Sequence, residues 1–180
     1  MAKRRFQFED PQDLARFRAN YSIPDDVRVK PAHPVDYDLR RYSGGWMPFP
    51  LIFVFEGGVR FPLHPLLREF LSTWRLTPCQ LRPNGYKVIM GTAKLNEILE
   101  THLDVHDIEH AYDVCKGREK TFYLRVKKGH QGFVSALDDS HKYAEEEIFC
   151  VSGNWEFSRG SGRAHTIPLF LGIAPSKHRS

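Results

Sequence analysis

The chain has 180 residues, which suits one domain and is too short for two large ones. Hydrophobic residues make up 41% and charged residues 27% of it, and thirteen Phe supply bulky core material, so wholesale disorder is excluded. No apolar run approaches the ~20 residues of a membrane-spanning helix, and no secretory signal follows the basic N-terminus. The sequence therefore predicts an intracellular protein, of nucleus or cytoplasm, without membrane contact.

The net charge of +4 comes from the C-terminal end of the chain. Residues 158–180 hold four basic side chains and no acid, so the remaining residues balance at 22 basic and 22 acidic side chains. A neutral folded part does not indicate a broad phosphate-binding surface. We therefore interpret 158–180 as a flexible basic tail.

The three cysteines, Cys79, Cys115 and Cys150, are odd in number and far apart in sequence. This spacing argues against a disulfide framework and against a zinc knuckle, which needs close ligand pairs. We expect buried, reduced thiols.

The first 45 residues are predicted to be an arm with one short helix. Asp10 followed by Pro11 is typical of a helix start, and Phe17 and Tyr21 recur at helical spacing behind it. Prolines and a glycine pair keep the rest of residues 1–45 extended or turning.

The centre of the chain predicts a strand and then a helix. The run Phe49–Phe55 lacks alternation, so we expect a strand covered on both faces. A glycine turn ends it, and Pro62 begins a helix that Thr77-Pro78 ends. One apolar stripe of this helix should face the core, and its residues are Leu63, Leu66, Leu67, Phe70, Leu71 and Trp74.

A longer second helix, Gly85–Leu103, is predicted behind the cap Asn84. Its small residues, Gly91, Thr92 and Ala93, should let a neighbour approach closely. Its predicted apolar side consists of Val88, Leu95, Ile98 and Leu99. Asp104 should cap a shorter helix that runs through Cys115, with Ile108, Ala111 and Tyr112 facing inward.

Strands dominate the last third. Residues 121–127 alternate, with Phe122, Leu124 and Val126 on one face, which indicates a half-exposed strand. Ile148–Val151 and Trp155–Phe157 flank Gly153-Asn154 and predict a hairpin. The fold class is therefore α+β, with a central helical hairpin packed on a small, mainly antiparallel sheet within residues 46–157.

Two long motifs in this region carry a resemblance. They run from Phe55 to Leu71, around Glu-Gly-Gly-Val-Arg-Phe-Pro, and from Leu76 to Gly85, around Pro-Cys-Gln-Leu-Arg-Pro-Asn-Gly. A later block, Ser140-His-Lys-Tyr followed by Ile148–Phe157, adds Phe-Cys-Val-Ser-Gly-Asn-Trp.

Together these motifs resemble the plant putative gypsy-type transposon domain, also called retrotransposon-like or putative transposase, gypsy type. The resemblance covers roughly residues 22–157, with Tyr143 where the family pattern has Trp. It implies an origin in a plant mobile element, and it transfers no catalytic residue.

Transposase chemistry would need three converging carboxylates and two metal ions. The candidates are Asp104, Asp107, Asp113, Asp138, Asp139 and Glu145–Glu147, which mostly fall at predicted caps, turns or an exposed acidic run. His102, His106 and His110 are spaced by four, but the cap at Asp104 should turn His102 away. Glu56-Gly57-Gly58 lacks the Gly-Lys-Ser/Thr ending of a phosphate loop and is interpreted as a tight turn. We therefore expect no enzyme, no cofactor and no metal site.

The function predicted from the sequence is a non-catalytic domain for protein interaction, assembly or self-association. The alternative is nucleic-acid binding through basic side chains, namely Lys3, Arg4, Arg5, Arg125, Lys127, Lys128, Arg159 and Arg163. The residues expected to serve structure are Phe61, Pro62, Leu66, Leu67, Phe70, Trp74, Gln80, Leu81, Asn84, Gly85 and Trp155. Gln80 and Asn84 should satisfy backbone groups at the helix junction.

Overall fold

The computed structural model describes residues 8, 10–32, 45–135 and 147–168. Helices and small antiparallel sheets form an α+β fold, which confirms the predicted class. In chain order the elements are α1 (Pro11–Asn20), β1 (Val27–Pro31), β2 (Met47–Pro50), α2 (Leu51–Phe55), α3 (Pro65–Thr73), a 3₁₀ turn (Pro78–Gln80), α4 (Pro83–Leu99), α5 (Val105–Ala111), β3 (Tyr112–Lys116), β4 (Phe122–Val126) and β5 (Ile148–Gly153).

The strands form two sheets instead of one. In the first, β5 lies between β1 and β2 and is antiparallel to both, so that Val151 faces Val29 on one side and Met47 on the other. The second sheet is the antiparallel pair β3–β4. Since β1 pairs with the central strand, part of the predicted N-terminal arm belongs to the main sheet.

Helix α1 begins where the sequence predicts. The Asp10 side chain accepts a hydrogen bond from the backbone N–H of Asp13 at 2.9 Å, and Pro11 occupies the first turn. Phe17 of this helix is fully buried and contacts Tyr21 and Phe149. The helix is therefore anchored in the core.

The predicted strand Phe49–Phe55 is wrong beyond Pro50. The strand β2 ends there, and the run Leu51–Phe55 forms the short helix α2. A short apolar run that is buried in either state carries no period that separates strand from helix. Gly58 behind it has φ of +70°, which agrees with the predicted tight turn.

Helices α3 and α4 form the central hairpin, joined through the 3₁₀ turn. The predicted α3 stripe is buried from Leu63 to Leu71, with Trp74 half-buried, although the helix begins at Pro65 and not at Pro62. A Cβ added at Gly91 of α4 would lie 2.6 Å from Val134 Cγ2, so the expected close neighbour at the small residues is present.

The end of α4 differs from the prediction. The helix stops at Leu99, and Ile98 and Leu99 are 64% and 61% exposed instead of facing the core. The amide of Asn96 explains the end, because its Oδ1 accepts from the Leu103 N–H at 2.9 Å and its Nδ2 donates to the Leu103 carbonyl at 2.8 Å. These bonds fold the following loop back onto the helix.

The next helix is shorter than predicted. Asp104 does cap α5, but the helix ends at Ala111, and Tyr112 begins strand β3, which pairs with β4. Residues Phe122 and Leu124 of β4 are buried as predicted, whereas Val126 is 39% exposed. Cross-strand pairing, which local periodicity does not report, decides the state of 112–116.

The predicted hairpin at Gly153 is wrong. Strand β5 forms, but Trp155–Phe157 form no strand, and β5 pairs with β1 and β2 instead. The turn behind β5 is held by Asn154, whose Nδ2 donates to Asp26 Oδ2 at 2.8 Å. Trp155 follows and is fully buried.

Gln80 and Asn84 both bond backbone carbonyls as predicted, but the predicted cap at Asn84 is wrong. Gln80 Oε1 accepts from the Thr77 N–H at 3.0 Å and its Nε2 donates to the Lys120 carbonyl at 3.3 Å. Asn84 Nδ2 donates to the Leu124 carbonyl at 2.8 Å, so Asn84 links α4 to β4 and does not cap the helix. None of the helices in the described ranges is both long and apolar enough to traverse a membrane.

Candidate functional site

A cleft of about 410 Å³ opens on the surface where α3 begins. Its lining residues come from the segment between α2 and α3, from α3, from α4 and from Ser158. We call it the basic cleft, and its principal residues are Arg60, Leu63, His64, Arg68, Met90 and Ser158.

Arg60 is held in place by backbone carbonyls. Its Nη1 donates to the carbonyl oxygens of Val54 at 3.0 Å and Val59 at 2.8 Å. Its guanidinium carbon also lies 5.0 Å from the centre of the Tyr21 ring. A guanidinium has five N–H donors, so these bonds leave donors for a ligand.

Arg68 and Arg163 share one aromatic ring. Their guanidinium carbons lie 4.4 Å and 5.6 Å from the centre of the Phe157 ring. Arg68 Nη1 also donates a long hydrogen bond, 3.4 Å, to the carbonyl of Glu156. The Phe157 ring therefore forms cation–π contacts with two arginines at the edge of the basic cleft.

The ion pairing of these arginines differs from that of others in the chain. Within the described residues Arg60, Arg68 and Arg163 form no salt bridge. In contrast, Arg16 pairs with Asp13, Arg18 with Asp25 and Arg125 with Asp113. A planar guanidinium without a carboxylate partner is well suited to bind an external carboxylate or phosphate.

His64 stands in the cleft as a neutral imidazole. Burial, and then the positive charge of Arg68, lower its pKa below 6.5, against a weaker opposing effect of Glu97. Its Nδ1 accepts from the Leu66 N–H at 3.2 Å and caps α3, which assigns the remaining hydrogen to Nε2. The exposed imidazole N–H can donate to a bound anion.

The basic residues predicted from sequence separate into three groups. Lys3, Arg4 and Arg5 lie outside the described residues. Arg125 pairs with Asp113 at 3.7 Å, Lys127 donates to the Glu109 carbonyl, and Lys128 is exposed, all at the β3–β4 sheet. Arg159 and Arg163 are exposed beyond β5. Arg163 does not line the basic cleft, but its guanidinium contacts the Phe157 ring that also contacts Arg68, a cleft residue.

The carboxylates weighed for catalysis have other roles where the structure describes them. Asp104 accepts from the N–H groups of His106 and Asp107, and Asp107 accepts from the Asp104 N–H, which forms a capping box. Asp138, Asp139, Glu145 and Glu146 lie outside the described residues.

The histidine series does not converge on one point. His102 precedes the Asp104 cap, His106 Nδ1 lies 3.6 Å from Glu109 Oε2, and the His110 ring meets the His130 ring edge-on at 4.8 Å. Across the described ranges, His, Cys, Asp and Glu side chains form no group of three or more that could hold a metal ion.

All three cysteines are free thiols. Cys79 Sγ donates to the Pro48 carbonyl at 3.3 Å, and burial, with a smaller effect of Cys150, raises the pKa of Cys79 well above its usual value. A thiol held protonated is a poor nucleophile and metal ligand, so Cys79 serves packing.

Sequence reasoning missed Arg60, His64 and Arg68 as site residues. The signal was present, because the three are spaced by four within the motif Arg-Phe-Pro-Leu-His-Pro-Leu-Leu-Arg. Only the apolar residues of that motif were interpreted.

Comparisons of the chain with family models, with curated proteins and with solved structures give no match. The fold and the cleft define a small α+β domain with a basic surface site. The gypsy-type resemblance stays a hypothesis that depends on the motifs alone.

Proposed function

We propose that this chain is a non-catalytic protein-interaction domain that binds an acidic segment of a partner protein in the basic cleft. The observation that carries the proposal is the set of guanidinium groups of Arg60, Arg68 and Arg163, which have no carboxylate partner among the described residues. Charge-assisted bonds from Arg to a carboxylate are short, directional and strong, so an acidic side chain is the ligand that these donors fit.

The surroundings of the cleft favour a single acidic group over a polyanion. Glu97 is close enough to oppose the lowered pKa of His64, and the exposed Glu69 directly follows the cleft residue Arg68 in sequence. The negative charges of these side chains would repel a long phosphate backbone. Leu63 and Met90 add apolar wall, which suits a peptide side chain beside the acid.

The motif resemblance supplies the proposed source, a plant gypsy-type retrotransposon-derived protein. In such a protein the domain would serve interaction or assembly, and self-association is one form of that interaction. The structural roles of Asp104 and Asp107 as caps and of Asp113 as partner of Arg125 are consistent with a domain that performs no metal-dependent chemistry.

The second candidate function is nucleic-acid binding. It is supported by Lys127, Lys128 and Arg125 on the β3–β4 sheet and by exposed Arg159 and Arg163. Under this alternative, single-stranded RNA or DNA should bind with a strong salt dependence, and Arg125→Gln should weaken it.

Fluorescence anisotropy with a labelled leucine-rich peptide that carries one aspartate, called the leucine–aspartate peptide, tests the first proposal. We expect it to bind more tightly than the same peptide with asparagine, and Arg68→Gln to raise its Kd about tenfold or more. Arg16→Gln on α1 is the control that removes the same charge elsewhere and should leave the Kd unchanged. Equal binding of both peptides, or no effect of Arg68→Gln, would contradict the proposal.

A further inference from the structure

Glu156 is the fully buried carboxylate of the described residues. Such a charge is costly to bury unless hydrogen bonds satisfy it. The N–H of Thr166 donates to its two oxygens at 2.9 and 3.1 Å, the Thr166 hydroxyl donates to Oε1, and His165 Nδ1 lies 2.9 Å from Oε2. When the carboxylate is ionised it only accepts, and the His165 ring then donates from Nδ1.

These side-chain bonds come from residues that lie nine and ten positions further along the chain. We call residues 158–167 the strap, because it leaves the core after Phe157 and returns at His165. Two further contacts fasten its end: His165 stacks on Trp155 with centroids 4.8 Å apart and planes at 12°, and Ile167 is 2% exposed. Between these ends, residues 158–164 are exposed.

The fastened strap places one arginine beside a residue of the cleft. Arg163 lies two residues before His165, and its guanidinium reaches the Phe157 ring that also contacts Arg68. If the end of the strap were free, Arg163 would sample many positions, and bringing it back would cost conformational entropy at each binding event. Arg60 and Arg68 do not depend on the strap in this way, since α3 carries Arg68 and the Val54 and Val59 carbonyls hold Arg60.

We propose that Glu156 is a positioning residue, which by fastening His165 and Thr166 holds Arg163 beside Arg68 at the edge of the basic cleft. This inference rests on the proposed function and assigns the strap to the binding site. An acidic ligand then meets three arginines when the strap is fastened and two when it is released.

Double-mutant cycles with the leucine–aspartate peptide test the coupling. Arg163→Gln should raise the Kd for the peptide about tenfold in the native background. In the Glu156→Gln background the same substitution should change the Kd by less than about twofold, because Glu156→Gln has already released Arg163 from the site. Arg60→Gln is the matched control, and its effect should be the same in both backgrounds. If Arg163→Gln costs as much in Glu156→Gln as in the native protein, the positioning role is overturned.

Absence of peptide binding by the native protein is a different outcome, because it overturns the proposed function itself. If Glu156→Gln does not fold, Thr166→Val replaces it, with Thr166→Ser as the variant that keeps the hydroxyl. Trypsin should cleave after Arg163 faster in Thr166→Val than in the native protein, and Thr166→Ser should restore the native rate. Equal cleavage rates in all three proteins would also overturn the inference.

Discussion

The ring of Phe17 in α1 meets the ring of Phe149 in β5 edge-on, with centroids 5.2 Å apart and planes at 74°. Both side chains are fully buried. The contact joins an N-terminal helix to the central strand of the main sheet, although the two residues are far apart in sequence. It makes α1 a structural part of the domain, together with β1.

Removing this contact should destabilise the whole fold. We expect Phe17→Ala to lower the free energy of unfolding by about 3–5 kcal/mol, because it deletes a buried aromatic side chain and leaves a cavity. Phe17→Leu keeps most of the apolar volume and should lose clearly less. Urea unfolding followed by tryptophan fluorescence measures both. A loss below about 1 kcal/mol for Phe17→Ala would show that α1 is not anchored as described.

Removing the side-chain cap of α5 should have a smaller effect on the free energy of unfolding than removing Phe17. Asp104 Oδ1 accepts from the N–H groups of His106 and Asp107 at 2.8 and 3.1 Å. Asp104→Ala should lower the free energy of unfolding by about 0.5–2 kcal/mol, whereas Asp104→Asn keeps an accepting oxygen and should lose less. Equal losses in the two variants, measured by urea unfolding, would argue against the capping role.

The pH dependence of the contribution of His64 to stability follows from the direction in which the pKa of His64 is shifted. Since burial and Arg68 lower its pKa below 6.5, the native state binds this proton less readily than the unfolded chain. The contribution of His64 to stability is therefore complete above pH 6.5 and is lost as the pH falls from 6.5 towards the lowered native pKa.

Proton NMR of the imidazole ring measures this directly. The titration midpoint of His64 should lie below pH 6.5 and should rise in Arg68→Gln, which removes the nearby positive charge. Arg16→Gln should leave it unchanged. Binding of the leucine–aspartate peptide should raise the midpoint. If neither Arg68→Gln nor the peptide changes the midpoint, then neither the Arg68 guanidinium nor the peptide carboxylate lies near His64, and the prediction is wrong.

Thiol labelling should distinguish the cysteines. Cys150 is fully buried and Cys79 is held protonated by its raised pKa, whereas Cys115 is partly exposed on β3. Iodoacetamide at about pH 8 should therefore modify Cys115 first, since the thiolate is the reactive form. Mass spectrometry of tryptic peptides gives the order, and labelling of Cys79 as fast as Cys115 would contradict the raised pKa of Cys79.

Elements with a local signal were predictable. The start of α1 at Asp10-Pro11, the apolar stripe of α3, the small residues of α4, the Asp104 cap and the alternation in β4 each depend on neighbours within a few residues. The errors fall where distant partners decide. Tyr112–Lys116 is a strand because it pairs with β4, and Leu51–Phe55 is a helix although the run reads equally well as a buried strand.

The candidate site likewise combines features that are visible in the sequence with contacts that depend on distant partners. The spacing of Arg60, His64 and Arg68 stands in the sequence, and so does the position of Arg163 in a basic tail. That Arg163 lies beside Arg68 depends on the ring of Phe157, and on a buried Glu156 whose partners lie nine and ten residues away.

The sequence by itself determined the α+β class, the polar residues that satisfy the helix junction, and the caps, because hydrophobic period and backbone hydrogen bonding act over short stretches. Only the tertiary structure decided that β1 and α1 belong to the domain, that Ile98 and Leu99 face outward, and that Arg163 lies beside a cleft lined by Arg60 and Arg68. Packing and side-chain pairing between distant segments decide such features, and no local pattern encodes which segments meet.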